Sequence, residues 1–271
     1  MLTIISMYVG VGAIAGLLAG LLGVGGGLII VPMLLFCFRR QEIPDECLMH
    51  LALGTSMASI VFTSVSSFWA HHRRGAVYWL AVRRIVFGIL AGTVLGTYVV
   101  SHLHKDVLQF VFAVFLCYVA TQMLLDRKPK PSRELPGWWG MFGAGSVIGL
   151  ISSLVGVGGG TMSVPFMIWC NLPVHRAIGT SAAIGFPIAV FGSLGYIFNG
   201  MRASHLPPYA VGYVYLPALA CIVAASVLTA PLGVRLAHRL PVPRLKRAFA
   251  ALLVIFGVRM LFVVIRQLFA A

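Results

Sequence analysis

Two places in the chain interrupt long apolar stretches with the same five residues, Gly23-Val24-Gly25-Gly26-Gly27 and Gly156-Val157-Gly158-Gly159-Gly160. Inside a helix each glycine costs about 1 kcal/mol relative to alanine. Broken backbone at membrane depth persists only where it is buried in protein or lines a wet cavity. A helix that resumes at Leu28 or Thr161 presents unpaired N–H groups carrying roughly half a positive charge. Gly25, Gly26 and Gly27, with Gly158, Gly159 and Gly160, would let an anion approach those donors closely. The implied chemistry is recognition of a negatively charged solute by main-chain amides. Plain close crossing of helices needs the same glycines, and that reading stays open. No GK[ST] follows either run, so neither is a nucleotide-binding P-loop.

Hydroxyls accompany both runs. Gly54-Thr55-Ser56 and Gly179-Thr180-Ser181 are expected near the start of their helices, where Thr and Ser either cap or donate to an oxyanion. Thr161 and Ser163 are weaker candidates of the same kind. Arg259 lies well inside an apolar span, twelve residues past Arg247 and seven before Arg266. A charge there is a functional candidate, although seven residues of helix are only about 10 Å and the side chain can snorkel to the nearer face.

Other chemistries fare worse. All six acidic residues (Glu42, Asp45, Glu46, Asp106, Asp126, Glu134) fall in loops or at span ends, which argues against carboxylate-based cation transport or a carboxylate proton relay. Cys37, Cys47, Cys117, Cys170 and Cys221 show no metal-binding spacing. His50 and His175 are matched in sequence but are expected on opposite faces. No catalytic residue, metal ligand or cofactor is assigned.

The elements that must position these residues are membrane helices. The 271 residues are 60% hydrophobic and 10% charged, against about a quarter charged in soluble domains. Apolar segments run near 2–38, 48–70, 85–101, 107–125, 140–170, 178–198, 213–234 and 248–269, each at least about as long as a bilayer crossing requires. The net charge of +14 sits in short loops, a pattern of membrane orientation and headgroup attraction rather than of nucleic-acid binding. Met1–Gly12 holds no Lys or Arg, unlike the opening of a signal peptide, so it is expected to stay in the mature chain.

The chain is duplicated. Gly16–Leu34 (GLLAGLLGVGGGLIIVPML) and Gly149–Met167 (GLISSLVGVGGGTMSVPFM) agree at ten of nineteen positions. Gly96, Phe112 and Met123 pair with Gly233, Phe249 and Met260 at one constant offset. The division is an N-terminal repeat 1–125, a linker 126–139 and a C-terminal repeat 140–271. If every segment crossed once, Lys and Arg would split ten to nine between the faces, with no bias. If 2–38 and 140–170 are instead helical hairpins broken at the glycines, the split is fourteen to five, as the positive-inside rule requires. Each repeat then has five membrane-entering helices, an odd number, so the repeats are expected to insert upside down relative to each other. The expected fold is all-α and polytopic: two inverted-topology repeats, each a broken-helix hairpin plus three transmembrane helices, with both termini external and the linker cytoplasmic.

The paired glycine segments, with ALGTS at 52–56 and AIGTS at 177–181, resemble the TauE/SafE family of sulfite exporters across essentially the whole chain. The resemblance implies a bacterial inner-membrane permease that moves sulfite or an organosulfonate such as sulfoacetate. It places the family's glycine-rich segments on Gly23–Gly27 and Gly156–Gly160, and its GTS segments on Thr55-Ser56 and Thr180-Ser181. Expected partners are a small sulfur anion and membrane lipid; whether the chain assembles with itself is open. Alternatives are another small anion (thiosulfate, sulfate or a carboxylate) and a thiol-dependent sulfur relay using Cys37 or Cys170.

Overall fold

A computed structural model describes residues 2–22, 26–125, 134–203, 206–237 and 242–270. The described residues form ten helices and one two-stranded antiparallel ribbon. Helices α1 (Leu2–Leu22), α2 (Gly27–Arg40), α3 (Asp45–Arg73), α4 (Trp79–His102) and α5 (Lys105–Leu125) precede the linker. After it come α6 (Trp138–Val155), α7 (Gly160–Trp169), α8 (Val174–Gly200), β1 (Ala210–Val211), β2 (Val214–Tyr215), α9 (Leu216–Ala237) and α10 (Val242–Ala270). Six of them, α3, α4, α5, α6, α8 and α10, are long and apolar enough to cross a membrane; α1 and α9 carry shorter apolar runs. The chain is a multi-pass helical membrane protein.

Both over-long segments split at their glycines. Gly26, at φ 74°, occupies the left-handed region that glycine enters without a steric penalty, and α2 starts directly after it. Gly156, at φ 63°, ends α6, with the N–H of Val157 returning to Ser152 O at 3.0 Å. The first hairpin folds back on itself: a Cβ on Gly26 would lie 3.3 Å from Ala15 O, and the Phe38 ring is 6.3 Å from that of Tyr8.

The long helices pack in reciprocal pairs. A Cβ on Gly145 of α6 would stand 2.5 Å from Ile85 O of α4, and one on Gly12 of α1 would stand 2.6 Å from Ile222 O of α9. One turn on, Gly149 meets Ile89 and Gly16 meets Ser226. These glycines remove side chains so that two backbones can touch, which is how membrane helices gain contact when lipid supplies no hydrophobic drive. Two further pairs run antiparallel. In α3 and α8, Gly54 lies against Tyr196 and Met57 against Gly192. In α5 and α10, Gln109 donates to Met260 O at 3.4 Å, while Gly257 lies against Ala113 and Cys117.

The β1–β2 ribbon departs from the all-α expectation. Pro207-Pro208 prevents helix before it, and Gly212, at φ 55°, makes the turn between Val211 and Tyr213. The ribbon folds against α3, where Gly54 meets Tyr213 O, and against the end of α8, where Tyr213 N–H donates to Tyr196 O at 3.2 Å.

Candidate functional site

The glycine runs meet. A Cβ on Gly27 would lie 2.8 Å from Gly156 O and 3.2 Å from Val157 Cα, so the two breaks are in direct backbone contact. Ile60 of α3 closes over them, 2.9 Å from a Cβ on either Gly27 or Gly158, and Ile188 of α8 stands 2.5 Å from one on Gly159. Among the described residues no side chain caps the start of α2 or of α7. Gly26 O accepts the N–H groups of Ile29 and Ile30, each at 3.1 Å. The N–H groups of Gly27, Leu28 and Thr161 lie in the first turns, ahead of any helical acceptor. Pro32 and Pro165, each the sixth residue of its helix, also free the carbonyls of Leu28 and Thr161. The uncapped start of α2 therefore lies against the second glycine run, from which α7 starts uncapped, and Ile60 and Ile188 pack over these glycines in this conformation.

The hydroxyls hold this arrangement in place. Ser56 Oγ donates to Gly156 O at 2.9 Å, tying α3 to the second break. Ser163 Oγ donates to Gly159 O at 2.7 Å and is 2.6 Å from Ser181 Oγ. Thr55 and Thr180 do not open their helices as expected. Pro44 and Pro173 start α3 and α8 earlier, so both threonines sit inside a helix. Each instead accepts a backbone N–H from across the molecule: Tyr215 N–H donates to Thr55 Oγ1 at 3.0 Å, and Tyr78 N–H donates to Thr180 Oγ1 at 2.9 Å. The two bonds are counterparts, capping the starts of α9 and α4. All five hydroxyl residues are fully or almost fully buried.

The remaining candidates separate. Gly25 lies outside the described residues. Gly26, Gly160 and Thr161 are half-buried, and Gly27, Gly158 and Gly159 are buried. Arg259 lines a cavity of about 430 Å³ shared with Arg39, Cys37 and Gln109, and that lining includes none of the glycine-run residues. His50 is buried and stacked 4.9 Å from the Tyr213 ring, whereas His175 is exposed, so the matched pair shares no environment. Among the described residues no three His, Cys, Asp or Glu side chains cluster as a metal site would.

Residue patterns had missed Tyr78, Tyr215 and Tyr196. Tyr196 buries its hydroxyl to donate to Ser153 O at 2.7 Å, next to the second break. The signal for Tyr78 and Tyr215 was available: they stand at the offset that separates Gly96 from Gly233.

Comparison with known proteins gives a consistent picture. A family model described as Sulfite exporter TauE/SafE matches residues 8–260. The chain is 37% identical over 262 residues to a probable membrane transporter protein of Haemophilus influenzae, covering 96% of this chain and 99% of the relative. It is 26% identical over 265 residues to a probable membrane transporter protein of Methanocaldococcus jannaschii, covering 96% of each. A probable membrane transporter protein of Bacillus subtilis is 28% identical over 209 residues, 70% of this chain and 77% of the relative. No solved structure matches the chain significantly.

Proposed function

The chain belongs to the TauE/SafE sulfite exporter family of membrane transporters, and from that premise we propose that it is a permease expelling sulfite or a small organosulfonate. The anion binds between the twin glycine breaks, held by first-turn N–H groups of α2 and α7. The observation that carries this reading is the contact of Gly27 with Gly156 and Val157, which brings the uncapped start of α2 against the glycine run from which α7 starts uncapped. Ser56, Ser163 and Ser181 fix the second break, and Thr55 and Thr180 hold the helices around it.

Alternating access between two inverted repeats, 1–125 and 140–271, is part of the same proposal. Helices equivalent in sequence, α3 with α8 and α5 with α10, lie antiparallel, which supports opposite insertion of the repeats. The present arrangement is then an occluded one, and withdrawal of Ile60 or Ile188 would open it to one side or the other. In a bacterial inner membrane with external termini and a cytoplasmic linker, each negative charge expelled gains about 2.3 kcal/mol per 100 mV of inside-negative potential. That gain can drive efflux without ATP.

Flux from proteoliposomes under an imposed potential tests the proposal. Sulfite, a sulfonate, thiosulfate, sulfate and a small carboxylate are compared, with sulfite or sulfonate efflux expected well above empty liposomes. Efflux no faster than from empty liposomes for both would sink the substrate assignment, and preference for one of the others would replace it. Reporter fusions after Gln41 and at the C-terminus should read as external, and fusions within 126–139 as cytoplasmic.

A further inference from the structure

We propose that the cavity between α1, α2, α5 and α10 binds an anionic phospholipid, its headgroup phosphate at Arg39 and Arg259 and an acyl chain in the apolar remainder. The cavity holds about 430 Å³, walled by Val11, Met33, Phe256 and Met260 besides the two arginines. Among the described residues neither arginine has a carboxylate within ion-pair distance. Asp45 and Asp106 do border a smaller hollow beside Arg39, but they pair with Lys105 at 4.0 Å and with His104 at 3.1 Å. Two guanidinium groups on an apolar wall call for an oxyanion, and phosphate matches their planar fork.

A lipid suits the site better than a soluble anion. Ile14 and Phe36, both on the cavity lining, are each 43% exposed on the outside of a membrane protein, so the opening faces hydrocarbon. Exposed apolar surface there is covered by acyl chains, while basic side chains reach toward headgroups. Arg39 closes the end of α2, and Arg259 is two turns of α10 from Arg266. This inference depends on the membrane location of the chain and not on the transport reading, so either can fail alone.

Native mass spectrometry of the full chain tests it. Purified protein is incubated with phosphatidylglycerol or phosphatidylcholine of equal acyl length, with and without excess inorganic phosphate or hexanesulfonate. The expected result is retention of one phosphatidylglycerol per chain, at least about tenfold over phosphatidylcholine and resistant to both soluble anions. Arg39→Gln with Arg259→Gln should abolish the preference, and Arg259→Lys should keep most of it. Gly10→Leu supplies a variant that folds, because Gly10 lines the cavity and a Cβ there meets nothing within 4 Å. It should fill the cavity and lower retention of phosphatidylglycerol without lowering the thermal midpoint. Equal retention of the two lipids by the unaltered protein, a preference that survives the double substitution, undiminished retention in Gly10→Leu, or displacement by either soluble anion would each overturn the proposal.

Discussion

The two glycine breaks carry the same five residues yet sit in different surroundings. Helix α2 buries ten of its fourteen residues, packed among α1, α3 and α10, whereas α7 buries two of its ten and packs chiefly on α8. Leu28 is sealed, while its counterpart Thr161 is half-buried. The same five residues thus serve unequally: α2 is a fixed wall, and α7 has far less apolar contact to give up if it moves. Burial of a leucine-sized side chain contributes about 1.5–3 kcal/mol, so displacing α2 would cost several times more than displacing α7. In the proposed cycle α7 is the part that shifts, tethered by Ser163 to Ser181.

This contrast can be broken most severely at Gly27. A leucine there would drive its Cβ against Gly156 O, backbone that cannot swing aside. We expect a stability cost of about 1–3 kcal/mol and loss of nearly all flux. Gly158→Leu meets a side-chain methyl of Ile60 at 2.9 Å rather than backbone and should cost less on both measures. Chemical denaturation and proteoliposome flux on the pair decide the point; equal or reversed effects would remove the asymmetry between the breaks.

A smaller effect is expected at the serines. Ser56→Ala leaves Gly156 O without its donor, at about 1–3 kcal/mol for a buried polar group left unpaired. Ser163→Ala should cost less, because Gly159 O still accepts the N–H groups of Met162 and Ser163, and Ser181 Oγ, inside α8, can turn to the Ala177 carbonyl four residues back. Thermal melts that rank Ser163→Ala as the more damaging would place the anchor of the second break on α7 rather than α3.

The mildest changes sharpen the reciprocity. Thr55→Val and Thr180→Val each remove one cross-molecular cap of similar length, and each should cost about 1 kcal/mol. Their melts should agree within about 0.5 kcal/mol, the usual scatter between independent sites. A large disparity would mean that the two caps are not equivalent parts of one symmetric frame.

Much of this frame was legible in residue patterns. The duplicated GVGGG runs located both backbone breaks, and charge parity required the hairpin that Tyr8 and Phe38 now form. The role of Thr55 and Thr180 was not legible, because their partners lie 160 and 102 residues away and a cap on another helix leaves no local spacing. The β1–β2 ribbon escaped notice because two residues per strand carry no periodicity. Arg259 stood out as an intramembrane charge, but which cavity it lines depends on how α10 packs against α2 and α5, a matter of helix rotation that hydropathy does not report.

The most direct test of the central claim is a sulfite titration of purified protein, followed by heat of binding or by the rise in thermal midpoint. The account predicts saturable stabilisation in the unaltered chain, retained in Gly143→Leu, where an added Cβ meets nothing within 4 Å, and absent in folded Gly27→Leu. Sulfite binding that persists unchanged in Gly27→Leu would contradict it.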